Sequence, residues 1–349
     1  MRRVLLAVAV LAIVLVAALV GARAIGLGAR AAPESRLYVA ISRSDDETAA
    51  REIEVIDTAS GERSLFDVGT RITALALAPD RRTLYVGADD GRLLLVDPTN
   101  GATYAQIFTR RASWILTAPD RDDVILVGAD QGGISLTRVD VAGRREAKSV
   151  LITGAAPGRP SLRGSDILLP YIVGKDNSLG LYDSVSLDRS VSSLVSRVVG
   201  RQALGLPQVQ LTPQGSAAYL AQWDSSPAAV RLVTGVAGET KPKELLLGVT
   251  SPTDARPLRG LLEIQSSLAS ASDGTLHVCV GNAEYAARYL VGAEQHLVGS
   301  ECGQLVRVVD RMYLAVRGKP RVAVIDAASG RIIRDLLLPG IPVFVASGS

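Results

Sequence analysis

Histidine and cysteine are almost absent, with two of each in 349 residues. Metal-dependent hydrolysis and Ser-His-Asp catalysis both need a well-placed imidazole with partners. The two histidines, His277 and His296, offer little toward either. No G-x-S-x-G elbow, no phosphate-cradling G-x-x-x-x-G-K and no C-x-x-C-H occurs, so nucleophile-elbow hydrolases, P-loop nucleotide binding and covalent haem are set aside. Aromatic residues make up only 4% of the chain, with two Trp, which removes the stacking platforms expected of a carbohydrate groove. Long runs of like charge are missing too, and with them the signature of a disordered charged tail.

The formal charge of +3 has an uneven origin. Arg2, Arg3, Arg23 and Arg30 fall in the first 31 residues, which contain no acid; without them 34 basic residues face 35 acidic ones. The body therefore carries no basic stripe, and a nucleic-acid partner is not expected.

What the chain has in plenty is apolar residues, 48% of the total, enough for a large core. Residues 4–22 form an unbroken run of 19 apolar or small residues, VLLAVAVLAIVLVAALVGA. As a helix the run is about 28 Å long, close to the ~30 Å hydrocarbon core of a bilayer. Arg2 and Arg3 precede it, as in the n-region of a signal sequence. It has no polar face to meet water, unlike a buried core helix with one wet side. Two fates stay open. The run is longer than a usual signal h-region, which favours an uncleaved anchor, yet Ala22-Arg23-Ala24 and Ala29-Arg30-Ala31 both satisfy a small-x-small cleavage pattern. The expected division is a signal-anchor or transmembrane segment with its linker over residues 1–31, then one folded domain over residues 32–349. The membrane is thus the first expected partner, with the folded domain outside the cytoplasm, or secreted if the leader is removed.

The folded part repeats itself. ITALALAPDRRTLYVGADDGRLLLVDPTNGATYAQIF (residues 72–108) is followed by SWILTAPDRDDVILVGADQGGISLTRVDVAGR (residues 113–144). In each, a short apolar strand ends in Ala-Pro-Asp, a second in Val-Gly-Ala-Asp and a third in Val-Asp before a turn containing Gly. Strands of four to eight residues broken by Gly, Pro, Asp and Asn are consecutive antiparallel hairpins. Further units fit the same four-strand frame at residues 160–199, 206–249, 261–299 and 303–338. Pro170 inside a strand of the first of these points to an edge or a bulge. The body opens with only three strands, RLYVAIS, EIEVIDTASG and RSLFDV, and closes on a single one, IPVFVASGS. Three at the start and one at the finish complete a blade and remove the open edges. The expected fold is all-β, a seven-bladed β-propeller of four-stranded antiparallel blades whose first blade is closed by the C-terminal strand.

The segments REIEVIDTASGERSLFDVG, LALAPDRRTLYVGADDGRLLLVDPTNG and RVAVIDAASGRII resemble the YVTN-type propeller repeat, in which one strand ends VIDTATG and a later segment reads SPDG…LYV. The resemblance covers residues 36–140 and 303–349. It implies the architecture and says little of activity, because the family spans surface-layer-like proteins, enzyme relatives that bind quinone-type cofactors, and lactonase-like folds.

Candidate chemistry is sparse. Asp57, Asp97, Asp140 and Asp326 recur at the ends of third strands and read as turn caps rather than a ring of metal ligands. Asp80 and Asp120 follow Pro as turn residues, and Asp45-Asp46-Glu47 reads as a solvated loop tip. His277 alternates with Cys279 on one face of LHVCVG and reads as a half-buried strand residue. In an exported chain, Cys279 and Cys302 are candidates for one structural disulfide. Polar residues mark the later innermost strands: Gln208, Gln210 and Thr212 share one face, Glu263 and Gln265 another, and Arg163 and Arg307 sit in comparable strands. Since innermost strands border a propeller's central channel, Gln208, Gln210, Glu263, Gln265 and Arg307 are candidate channel-lining residues. They either form a wall for a small ligand or satisfy one another between blades. No cofactor or metal is implied. The function expected is a non-catalytic, membrane-tethered extracytoplasmic scaffold that binds an unidentified protein partner. The alternative is a ligand- or cofactor-binding propeller, resembling quinoprotein dehydrogenases or lactonases, with its site at the channel.

Overall fold

A computed structural model describes residues 35–44, 49–118, 120–174, 176–190, 207–213, 216–223, 229–234, 243–247, 267–281 and 286–347. Among these residues the chain forms seven antiparallel sheets, each following the previous one in sequence, with almost no helix. This is the seven-bladed propeller expected. Blade 1 consists of Arg36–Ser42, Glu52–Asp57 and Arg63–Asp67, with the C-terminal strand Ile341–Ser347 added as its innermost member. Leu37 pairs with Ser347 and Ser42 with Ile341, so the last strand runs antiparallel to the first. Among the described residues no helix is long and apolar enough to cross a membrane; residues 4–22 lie outside them.

The strands' nearly continuous apolar runs have a simple cause. Successive side chains point to opposite faces, and each blade is covered on both faces by its neighbours. Leu37, Val39 and Ile41 therefore pack toward blade 7, while Tyr38 and Ala40 pack toward blade 2. Leu93 and Leu95 likewise join the core against blade 3, and Leu94 and Val96 the core against blade 1. Seven such cores result, one between each neighbouring pair of blades. A fully buried Leu or Ile contributes about 1.5–3 kcal/mol, so stability is spread around the ring rather than held at a centre.

The turn aspartates cap backbone as the residue pattern predicts. Asp57 Oδ1 accepts from the amides of Ala59 and Ser60 at 2.9 and 2.8 Å, and Asp97 Oδ1 from that of Thr99 at 2.7 Å. Asp140 accepts from Gly143 at 2.8 Å and Asp326 from Ser329 at 2.8 Å. Asp183 does the same for Val185 and Ser186 in blade 4. Residues 45–47 lie outside the described residues.

Blade 4 departs from the frame. Its innermost position is taken by two short strands, Ala155–Pro157 and Ser161–Arg163, both paired to Asp166–Val173. It thus begins five residues earlier than the repeat pattern places it, and Pro170 sits in its second strand, neither at an edge nor in a bulge of that strand. The interruption falls instead on the innermost strand opposite. In an antiparallel ladder a residue's N–H and C=O point to the same neighbour. The Pro170 carbonyl accepts from Gly158 N at 2.7 Å, so the side lacking a donor faces residues 158–160, where the innermost strand breaks.

Candidate functional site

The innermost strands pack side by side around the axis and line a central channel. Its middle is a cavity of about 540 Å³, bordered by Leu75, Trp114, Leu116, Thr117, Ser161, Gln208, Gln210, Gln304 and Phe344 among others. A connected void of about 440 Å³ opens at the mouth where the innermost strands begin, with Arg71, Arg111 and Arg317 in its wall. A third of about 340 Å³ opens where they end, lined by Thr212, Arg307 and Ser347. Volumes of this size hold small organic ligands.

Arg159 borders both the central cavity and the second mouth. Its position follows from the break opposite Pro170. Freed from its own blade, residue 159 pairs instead with blade 5: its amide donates to Pro207 O at 3.0 Å, and Val209 N donates to its carbonyl at 3.1 Å. The crossing is so close that a methyl on Gly158 would overlap the Pro207 carbonyl. Arg159 is half-buried, and desolvation lowers its guanidinium pKa. Arginine nonetheless stays charged at neutral pH. Among the described residues no carboxylate and no side-chain hydrogen bond meets it. The described lining of the three voids contains five arginines and no Asp or Glu.

The expected channel residues divide. Gln208 and Gln210 lie on the innermost strand Gln208–Leu211 and border the cavity. Gln210 Nε2 donates to Leu211 O at 3.1 Å, so it is tied to its own backbone rather than to another amide. Thr212 Oγ1 is buried at the second mouth with no hydrogen-bond partner among the described residues. Arg307 lines that same mouth. Arg163 is turned to Asp166 at 3.5 Å and does not border the voids. Glu263 and Gln265 lie outside the described residues. Gln304 accepts from Val345 N at 3.0 Å through Oε1, bridging blade 7 to the closing strand.

Sequence reasoning did not single out Arg159. The signal was present in Gly158-Arg159-Pro160 facing a strand that holds Pro170, a pairing that forces the inner strand to break. Trp114 and Phe344 add the channel's aromatic surface, which the low overall aromatic content obscured.

The remaining candidates are structural. His277 is fully buried, more so than its half-buried reading, and its Nε2 lies 2.9 Å from Ala327 O of blade 7. Arg288, fully buried beside it, donates to Gly330 O at 2.9 Å, so two side chains of blade 6 hold the same turn. His296 is exposed, 3.6 Å from Glu294. Cys279 and Cys302 are joined by a disulfide with Cα atoms 5.4 Å apart. Among the described residues no group of His, Cys, Asp or Glu is placed to hold a metal ion.

No family model and no curated protein matches the chain. Solved structures do match its fold. It is similar to a Kuenenia stuttgartiensis hydrazine synthase chain (TM-score 0.60, 15% identity, 85% of this chain and 94% of that one). It is also similar to a putative 6-phosphogluconolactonase from Bacteroides fragilis (TM-score 0.62, 11% identity, 89% and 96%). Apo AztD from Citrobacter koseri gives a TM-score of 0.54 at 10% identity over 89% and 97%. At these identities the likeness concerns the propeller fold.

Proposed function

We propose that this protein is a ligand-binding propeller whose site is the central channel, held at a membrane or exported across it by its N-terminal segment. The observation that carries this reading is a cavity of about 540 Å³ that joins apolar and aromatic walls to an arginine with no carboxylate beside it among the described residues. Withdrawing a cation even partly from water without a counter-charge costs free energy, and a bound ligand is the simplest thing that offsets it. The repeats' likeness to YVTN-type propellers suits this role and a binding scaffold equally. The scaffold reading asks for a contiguous apolar patch on one face. Instead most of the large exposed apolar side chains on the described strands, Phe108, Leu151, Leu297 and Leu337 among them, sit on outermost strands of different blades.

The test uses the full chain in mild detergent, screened by thermal shift against a metabolite library, beside the channel-filling variant Ser161→Trp. A compound that stabilises the wild type and not the variant supports the channel site. Binding that ignores Ser161→Trp, or a stoichiometric protein partner with no small molecule bound, sinks the channel reading, and the second outcome returns the scaffold.

A further inference from the structure

We infer that the channel takes a small organic anion, a carboxylate or phosphate ester with an apolar body, whose charge meets Arg159 after it has entered by the mouth of Arg71, Arg111 and Arg317. This rests on the channel being the binding site and specifies what that site accepts. Three features converge on it.

The first is the placement of Arg159. A planar guanidinium offers donors in a fork that matches a carboxylate or phosphate. Here Arg159 borders both the central cavity and the second mouth, on backbone hydrogen-bonded to blade 5 through its own amide and carbonyl. A donor set held this firmly loses little entropy when an anion arrives. The second is the sign of the whole passage. The described lining holds arginines at both mouths and in the middle, with no acid, although the body of the chain is balanced in charge. A low-dielectric tube lined by one sign focuses its field and draws in ligands of the other. The third is the rest of the wall. Trp114, Leu116, Val343 and Phe344 face the same cavity, so an inorganic anion alone would leave apolar surface uncovered. The Thr212 hydroxyl at the second mouth supplies a further hydrogen-bonding group.

Calorimetric titration of the full chain with phenyl phosphate, phenylacetate, inorganic phosphate and neutral benzyl alcohol tests this. The aromatic anions are expected to bind tighter than either inorganic phosphate or benzyl alcohol, and to weaken as salt rises. Arg159→Gln should cost them about 10- to 100-fold in affinity while the melting temperature holds or rises, because an uncompensated charge has been removed. Arg159→Lys should restore part of the affinity. Arg111→Ala should slow association at low salt and leave dissociation unchanged. If benzyl alcohol binds as well as the anions and Arg159→Gln changes neither, the anion assignment falls while the channel reading stands. If affinity and melting temperature fall together in Arg159→Gln, the arginine is structural and the inference is overturned. Failure of every probe here and of every compound in the library removes both.

Discussion

His277 shows what a single buried ring does when its partners are half supplied. Its Nε2 meets the Ala327 carbonyl at 2.9 Å, which assigns the proton of the neutral ring to that nitrogen. Nδ1 is buried without a hydrogen-bond partner among the described residues, so a second proton there would be an unsolvated charge. Burial therefore lowers the pKa below the ordinary 6.5, with Arg288 acting in the same direction and the Ala327 bond, Asp273 and Asp326 opposing. The sign follows from linkage. Below pH 6.5 the unfolded chain takes up a proton that the native ring refuses, so stability is complete above that value and is lost as pH falls through it toward the native pKa. The melting temperature of the wild type should decline between pH 7.5 and 5.5, and that of His277→Gln should decline less; equal slopes would refute the assignment. The lowered pKa values of Asp140, Asp183, Asp273 and Asp326, set chiefly by hydrogen bonds, act only in a more acid range and leave this window clear. At this scale the sequence was a partial guide. It identified the Asp turns from spacing alone, because an Asx cap is a local event. It underestimated the burial of His277, which depends on a turn some fifty residues away in the next blade.

Strand by strand, the pattern of apolar runs and turns found every blade but slipped at the fourth, and in the sixth, expected from residue 261, the innermost described strand is Ser267–Ser270. The reason at the fourth is that a Pro within a strand displaces its neighbour, and sequence alone does not say which neighbour. Pro170 kept its own strand straight and broke the one beside it, sending residue 159 to pair with blade 5. Gly158 makes the crossing possible, since any side chain there would collide with the Pro207 carbonyl. Gly158→Ala should lose about 1–3 kcal/mol in a denaturation titration, the scale of an overpacked contact. It should also weaken anion binding, because Arg159 rides on the same three residues. Gly292→Ala is the matched control: a methyl there meets only Thr275 Oγ1 at 3.8 Å and should be close to neutral. A Gly158→Ala variant as stable as this control would show that the crossing is loose. The expected channel residues that border the voids, Gln208, Gln210 and Arg307, are those on regular strands where period two holds. Arg159, which was missed, sits where the period stops.

For the molecule as a whole, closure of the ring is the element on which the rest depends. The strand Ile341–Ser347 supplies Val345 to the core against blade 7 and Ala346 to the core against blade 2. Its removal would bare the edge of Arg36–Ser42 and open two of the seven cores at once. A chain ending at Gly340 should melt without cooperativity and aggregate, as seen by calorimetry and size-exclusion chromatography. A synthetic peptide of residues 341–349 added in trans should recover part of the transition. Unchanged, sharp melting of the truncated chain would mean that six blades stand alone. This closure is legible in the residues themselves, because a count of strands leaves three at one end of the chain and one at the other.

The closing strand also gives the molecule a direction. It enters the channel at Pro342, beside the mouth of Arg71, Arg111 and Arg317, and leaves at Ser347, beside that of Arg307. Arg36–Ser42 runs back alongside it, so the chain joins the ring next to Ser347. If the N-terminal segment fastens the protein to a surface, as proposed, the described chain begins at the end of Ser347, and the opening of Arg71, Arg111 and Arg317 lies at the other end. A propeller tethered in this way would stand with its intake turned to the open solution and its exit to the surface that holds it.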